Sequence, residues 1–321
     1  MNAPAQPVIE ARSLVKDFGR TRALDGLDLT VAPGEVHGFL GPNGAGKSTT
    51  LRILLGLIRP TAGAVRVFGL DPWADPVKAH LDIAYVPGDV SLWPNLTGGE
   101  VLDLLTGLRG GADEKLRREL IEEFEFDPRK KARTYSKGNR QKVALIAAFA
   151  RPARLYLLDE PSAGLDPLMD AVFRRQVERV SRDGATVLLS SHILSEVEQL
   201  CDRVTIIRSG TAVESGTLGE LRHLHRTHFR VTGLADPLRL AALPGVHNVG
   251  VGTSAVEFDA DSADIAAVLA GIAEPGISSL SVTPPSLETL FLRHYSNDSS
   301  NSEDSTNNSP ATTNSTDSGA V

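Results

Sequence analysis

Apolar and polar positions divide the chain into three regions of different rhythm. Val8 to Val15 and Leu27 to Val31 have the β-branched character of strands flanking an irregular stretch, with Phe18 lying between them. The turn Ala32-Pro33-Gly34 then leads into a short apolar strand, Glu35 to Leu40. From Ser48 to Leu57 the spacing becomes helical, with Leu51, Leu54 and Leu55 on one face. Ala64 to Phe68 and Ile83 to Val86 return to strand character, and Asp71-Pro72 and Asp75-Pro76 mark the loop between them. A proline- and glycine-rich hinge, Pro87 to Gly99, precedes a helical pattern from Glu100 to Phe126 that Gly110-Gly111 interrupts, and Val143 to Ala150 forms an apolar helix. Leu155 to Leu158, Thr186 to Leu189 and Val204 to Ile207 are continuous apolar runs. Helical stretches near Leu168 to Ser181 and Ile193 to Leu200 separate them, as expected of parallel strands covered on both faces.

The rhythm shifts near Thr217. Phe229 to Val231, Pro237 to Ala242, Val246 to Val251, Ala255 to Phe258, Ala263 to Ile272 and Ser278 to Val282 predict strand, helix, strand, strand, helix, strand. That is the order of a ferredoxin-like split βαβ unit. Pro284-Pro285 breaks the chain before an amphipathic helix from Leu287 to His294. From Ser296 the residues are Ser, Thr, Asn and Asp with almost nothing to bury, which predicts a disordered tail. The expected organisation is therefore a first domain over residues 1–216 with a helical subdomain at about 88–152, an accessory α+β domain over 217–295, and the tail 296–321.

Composition narrows the function classes. A chain of 321 residues with 41% apolar content is long enough for about two globular domains. No apolar run approaches the roughly 20 residues that cross a bilayer, and no secretory leader is expected at the start. The single cysteine, Cys201, forms no internal disulfide and is expected to pack in the core. The net charge is −7, or −7 + 4 = −3 without the four acids of the tail, which does not suggest nucleic acid as a partner.

Against that background two stretches carry chemistry. Gly41-Pro42-Asn43-Gly44-Ala45-Gly46-Lys47-Ser48-Thr49 fits the phosphate-loop pattern G-x-x-x-x-G-K-[ST] between a strand and a helix. Glycines let backbone N–H groups close around phosphate oxygens and the helix offers its positive end. Lys47 then reaches the β and γ phosphates and Ser48 holds Mg²⁺. The apolar strand Leu155 to Leu158 ends in Asp159-Glu160, a pair suited to nucleotide hydrolysis with one acid for Mg²⁺ and the other for water.

With these two motifs, Ser162-Ala163-Gly164-Leu165-Asp166 and His192 in Ser190-Ser191-His192 fall in an order and spacing that resemble the ATP-binding subunits of ABC transporters over about residues 8 to 215. The resemblance implies an α/β fold of the P-loop NTPase, ABC ATPase type, with a mixed sheet and a helical insertion. It makes Glu160 the residue that activates water, His192 the switch that senses the γ-phosphate, and Asp166 part of the D-loop. It also places Phe18 where an aromatic stacks on adenine, a core position being the alternative reading. Two departures stand out. The signature loop is Tyr135-Ser136-Lys137-Gly138-Asn139, keeping Ser136 and Gly138 at a helix N-terminus but putting Lys137 where a glycine is usual. Gly88 stands where the family has a glutamine, leaving Asp89 as a candidate metal-facing oxygen.

The resemblance further implies ATP and Mg²⁺, a head-to-tail dimer with a second ATPase subunit, and a separate permease engaged through Leu92, Trp93, Pro94 and Leu96. The chain is then expected at the cytoplasmic face of the membrane. The closing segment Pro285-Ser286-Leu287-Glu288-Thr289-Leu290-Phe291-Leu292 is similar to the daunorubicin-type drug and antibiotic exporter ATPases, which pair with ABC-2-type permeases. A soluble ATP-binding regulator and a non-transport ABC ATPase are the competing expectations.

Overall fold

The computed structural model describes residues 6–223, 226–233, 240, 242–273 and 277–283. The chain divides into two compact units, residues 1–224 and 225–321.

In the first unit, Ile9–Phe18 (β1) and Thr21–Val31 (β2) form a long antiparallel hairpin, and Ala62–Val67 (β4) pairs with the other edge of β1. The stretch between Val15 and Leu27 is therefore paired strand rather than irregular chain. Its alternation is hidden by register shifts between Ala11 and Leu14, Leu14 and Val15, and Lys16 and Asp17. Six strands make the second sheet, in the order β5-β6-β7-β3-β8-β9: Ile83–Val86, Leu155–Asp159, Thr186–Ser191, Val36–Leu40, Arg203–Arg208 and Thr211–Thr217. The first five run parallel and β9 is antiparallel to β8. The sequence TAVESGT of β9 has no apolar run to announce it, because an edge strand need not bury both faces.

The helix Lys47–Leu54 (α1) lies between the two sheets. Leu51 and Leu54 join Ile9, Leu14, Leu24, Phe39 and Leu157 in one buried core. This helix stops short of the expected Leu57 because Gly56 takes φ +63, and a Cβ there would lie 2.1 Å from the carbonyl of Pro72. The loop after β4 also holds a short helix, Pro76–His80 (α2), started by a proline in its first turn.

Gly98–Leu108 (α3), Glu114–Glu123 (α4) and Lys137–Phe149 (α5) build the helical region. Thr97 and Glu100 close a capping box on α3, and Asp113 and Ser136 cap α4 and α5. Phe149 at the end of α5 stacks on Tyr156 of β6, ring centroids 5.3 Å apart, and meets Phe173 of Pro167–Arg182 (α6) at 6.5 Å. Leu194–Leu200 (α7) packs Val197 beneath Gly38, where a Cβ would lie 2.5 Å from its methyl group. Cys201 is buried beside it, its thiol pushed up by burial and secondarily by Glu196 and Asp202.

The second unit holds a four-stranded antiparallel sheet in the order β11-β12-β10-β13: Val246–Val251, Val256–Ala260, Thr227–Thr232 and Ser279–Thr283. Placing the third and first strands centrally is the split βαβ arrangement. Phe229 and Phe258 stack at 5.0 Å, and Ile265–Ala273 (α9) adds Val268 and Ile272 to the same core. The expected helix Pro237–Ala242 lies largely outside the described residues. The expected helix Leu287–His294 and the tail 296–321 lie wholly outside them.

Phe149, fully buried, links the helical region to β6 through Tyr156 and to α6 through Phe173. Phe149→Ala is expected to cost about 3–5 kcal/mol, read as a fall in the urea midpoint of the full chain.

Candidate active site

The site forms where the carboxyl ends of β3, β6 and β7 come together. Parallel pairing sets Asp159 opposite Ser190 and Leu40 opposite Ser191, so the loops after all three strands leave the sheet at one level. Gly41 begins the first loop, and a Cβ there would lie 2.5 Å from the carbonyl oxygen of Ile207. Gly46 has φ +112 and caps α1, with Leu24 and the Ala23 carbonyl within 2.8 Å of any added Cβ. The Ala45 N–H donates to Pro42 and the Thr50 N–H to Gly46, which closes the loop over Pro42, Asn43 and Gly44. The first amides of α1, including those of Ser48 and Thr49, precede its internal hydrogen bonding and form an anion-binding end.

Lys47 is buried, and its ammonium donates to the carbonyls of Gly41 (2.6 Å) and Pro42 (3.2 Å). It also lies 3.3 Å from Glu160 Oε1, an ion pair without hydrogen-bond alignment. The other oxygen, Glu160 Oε2, hydrogen-bonds His192 Nδ1. Three residues far apart in sequence thus meet in one chain of contacts, Lys47 to Glu160 to His192. Glu160 takes φ +49, an uncommon conformation for a residue with a Cβ, and its N–H donates to the Ser190 carbonyl at 3.0 Å. His192 is half exposed.

Asp159 is buried, and Ser190 Oγ donates to its Oδ1 at 2.6 Å. A Cβ on Gly88 would lie 3.4 Å from the Asp159 carboxyl carbon, so the loop after β5 passes directly over this acid. Asp89, the next residue, is exposed. Burial, reinforced by Asp159, pushes the phenol of Tyr85 up to about 12 and keeps it neutral. Ser48 and Asp159 fit a Mg²⁺ site of the kind that keeps several waters and borrows phosphate oxygens. No group of three or more His, Cys, Asp or Glu forms a dedicated metal cage among the described residues.

Phe18 is half exposed at the end of β1, with the Lys16 ammonium 5.0 Å from its ring centroid, which removes the core reading. Ser136 Oγ accepts from Asn139 N–H at the start of α5, and Lys137 is exposed in the first turn. A Cβ on Gly138 would lie 2.4 Å from the Gly164 carbonyl, so the segment 135–139 abuts the segment 162–166 of the same chain. Asp166 spends its carboxylate on capping α6, accepting from Leu168 and Met169 at 3.0 Å. Two residues of this neighbourhood had no motif to announce them. Gln141, buried on α5, donates to the Pro161 carbonyl at 2.9 Å, and Glu196, buried on α7, accepts from Ser191.

A groove of about 930 Å³ lies beside the helical region, walled by Leu57, Val77, Leu81, Tyr85, Trp93 and Leu108. Trp93 is half exposed in it and Leu92 also lines it, whereas Pro94 and Leu96 are outside the lining.

Comparison with known proteins agrees with this geometry. Residues 24–163 match the ABC transporter family model. The daunorubicin/doxorubicin resistance ATP-binding protein DrrA of Streptomyces peucetius is 41% identical over 69% of this chain and 69% of its own length. The linearmycin resistance ATP-binding protein LnrL of Bacillus subtilis is 32% identical over 89% of this chain and 97% of its own. Among solved structures, the ATP-binding subunit of an ABC transporter superposes with a TM-score of 0.63 at 32% identity, over 68% of this chain and 92% of that one. A dimeric ATP-binding cassette in a post-hydrolysis state with ADP and Pi gives 0.60 at 25% identity, over 65% and 98%. With its phosphate loop, its paired carboxylates and this likeness along two thirds of its length, the chain belongs to the ATP-hydrolysing, ATP-binding subunits of ABC transporters.

Proposed function

We propose that the chain powers export of a drug, an antibiotic or another hydrophobic compound, working as a head-to-tail pair beneath an ABC-2-type permease. The contact chain Lys47, Glu160, His192 carries the catalytic part of this reading. When ATP enters, Lys47 exchanges its loop carbonyls and Glu160 for phosphate oxygens, and Glu160 turns to the attacking water. The water oxygen bonds to the γ-phosphorus as the bond to the ADP oxygen breaks, and Glu160 takes the water proton. His192 donates a hydrogen bond to the γ-phosphate. Ser48 and Asp159 would hold Mg²⁺, which would supply charge neutralisation on the phosphates. Positioned base catalysis of this kind contributes about 10²–10⁴-fold.

Pairing is supported by the exposed Ser136 and by Gly138 at the head of α5, suited to capping the γ-phosphate bound to a second subunit, and by the dimeric solved relative. The groove beside Trp93 has the apolar lining that a helix from a permease needs. No helix among the described residues is long and apolar enough to cross a membrane. In this reading the pathway belongs to the permease, and the chain sits at the cytoplasmic face through it. The choice of cargo class follows the resistance functions named for DrrA and LnrL.

Glu160→Gln is expected to lower Mg²⁺-dependent turnover by about 10²-fold or more while ATP binding persists and an ATP-dependent dimer accumulates in size-exclusion chromatography. Wild-type turnover in that variant would remove Glu160 from its role. Asp89→Ala tests the loop that passes over Asp159. If Asp89 supplies a metal-facing oxygen in place of the missing glutamine, the Mg²⁺ concentration for half-maximal turnover rises several-fold; an unchanged Mg²⁺ titration assigns the metal to Ser48 and Asp159 alone.

A further inference from the structure

Glu196 is a buried acid in the first turn of α7, where the helix N-terminus favours a negative charge but the core disfavours a polar one. It lies on the inner face of α7, which Val197 already anchors in the core, and an apolar residue would fill its place at lower cost. Its Oε2 accepts from Ser191 Oγ at 2.7 Å, and Ser191 Oγ accepts in turn from the Ile193 N–H at 2.9 Å. Those two residues flank His192. The Ser162 hydroxyl, two residues beyond Glu160, faces the same carboxylate, although Oε1 closes no well-formed hydrogen bond. Burial foremost, with the nearby charges of Asp170 and Glu160, raises the Glu196 carboxyl above its ordinary range, so the acid is held there at a cost.

We propose that Glu196 is a positioning residue for hydrolysis: from beneath the site it holds Ser191, and through Ser191 the turn carrying His192, keeping His192 in register with Glu160. The contact between His192 and Glu160 is the one this tie preserves. Glu160, in its left-handed conformation, is the residue whose placement most depends on surrounding restraint. The proposal rests on the roles given above to Glu160 and His192.

The test is steady-state ATP hydrolysis by the full chain, with ATP affinity and melting temperature measured in parallel. Glu196→Ala is expected to lower kcat by about 10- to 100-fold, as misplacement on the order of 1 Å does, with KM and ATP affinity within about twofold of wild type. Glu196→Gln, whose amide oxygen still accepts from Ser191, restores most of the rate. Ser191→Ala reproduces the loss, and the double variant Glu196→Ala with Ser191→Ala loses little more, as members of one linkage do. Wild-type kcat in Glu196→Ala, alongside lost turnover in Glu160→Gln, overturns this proposal and leaves the catalytic assignment standing. Wild-type kcat in Glu160→Gln overturns both. If Glu196→Ala fails to fold, Ser191→Ala decides, and an unchanged kcat there overturns the proposal.

Discussion

Register in the parallel sheet is the constraint on which the active site depends. β7 lies between β6 and β3 and pairs Asp159 with Ser190 on one side and Ser191 with Leu40 on the other. Because all three strands run the same way, their following loops emerge together, and the phosphate loop, the Asp159-Glu160 pair and the His192 turn meet without any long connection. A slip of one residue in any of these pairings would exchange the two faces of a strand and send one of the three loops out of reach. The fully buried apolar residues of β6 and β7, Leu157, Leu158, Leu188 and Leu189 among them, oppose such a slip on both faces.

The same end of the sheet collects the groups that a folded chain ordinarily keeps in water. Lys47, Asp159, Gln141 and Glu196 are all buried there, each with a specific partner: the loop carbonyls, Ser190, Pro161 and Ser191. Burial of such groups costs stability unless each bond is made, so the surrounding core has to be rigid enough to keep them made. That core is α1 clamped between two sheets, together with the aromatic contacts of Phe149 behind β6. Strain at Glu160, 3.3 Å from Lys47 of the phosphate loop, places the conformational cost where the chemistry needs fixed geometry.

Much of this was legible in the sequence because the phosphate loop and the Asp159-Glu160 pair depend on short, contiguous patterns whose strands are uniformly apolar. The order of the four described strands of the second unit, and of the helix between the last two, could be read from the apolar pattern. What could not be read has physical reasons. The β1–β2 hairpin is interrupted by bulges that break period two, β9 is a polar edge strand, and α2 is too short for periodicity to register. Glu196 and Gln141 escaped because their significance lies in what they touch across 5 and 20 residues of chain, and no local spacing encodes such a contact. Phe18, by contrast, was ambiguous between platform and core until its exposure at the end of β1 was seen.

The departure at Gly88 alters how the groove and Asp159 can communicate. In this chain no side chain projects from that position, and a Cβ added there would come within 3.3–3.5 Å of Asp159. One side chain belonging to both regions is Tyr85, which lines the groove and lies close enough to Asp159 for that charge to raise its phenol. Displacement of the segment that carries Leu92 and Trp93 would therefore bear on the site through packed backbone at Gly88 and through the ring of Tyr85. Such a contact transmits position without supplying a ligand, so under the proposed roles a partner in the groove would bias the loop over Asp159 while the chemistry stayed with Lys47, Asp159, Glu160 and His192.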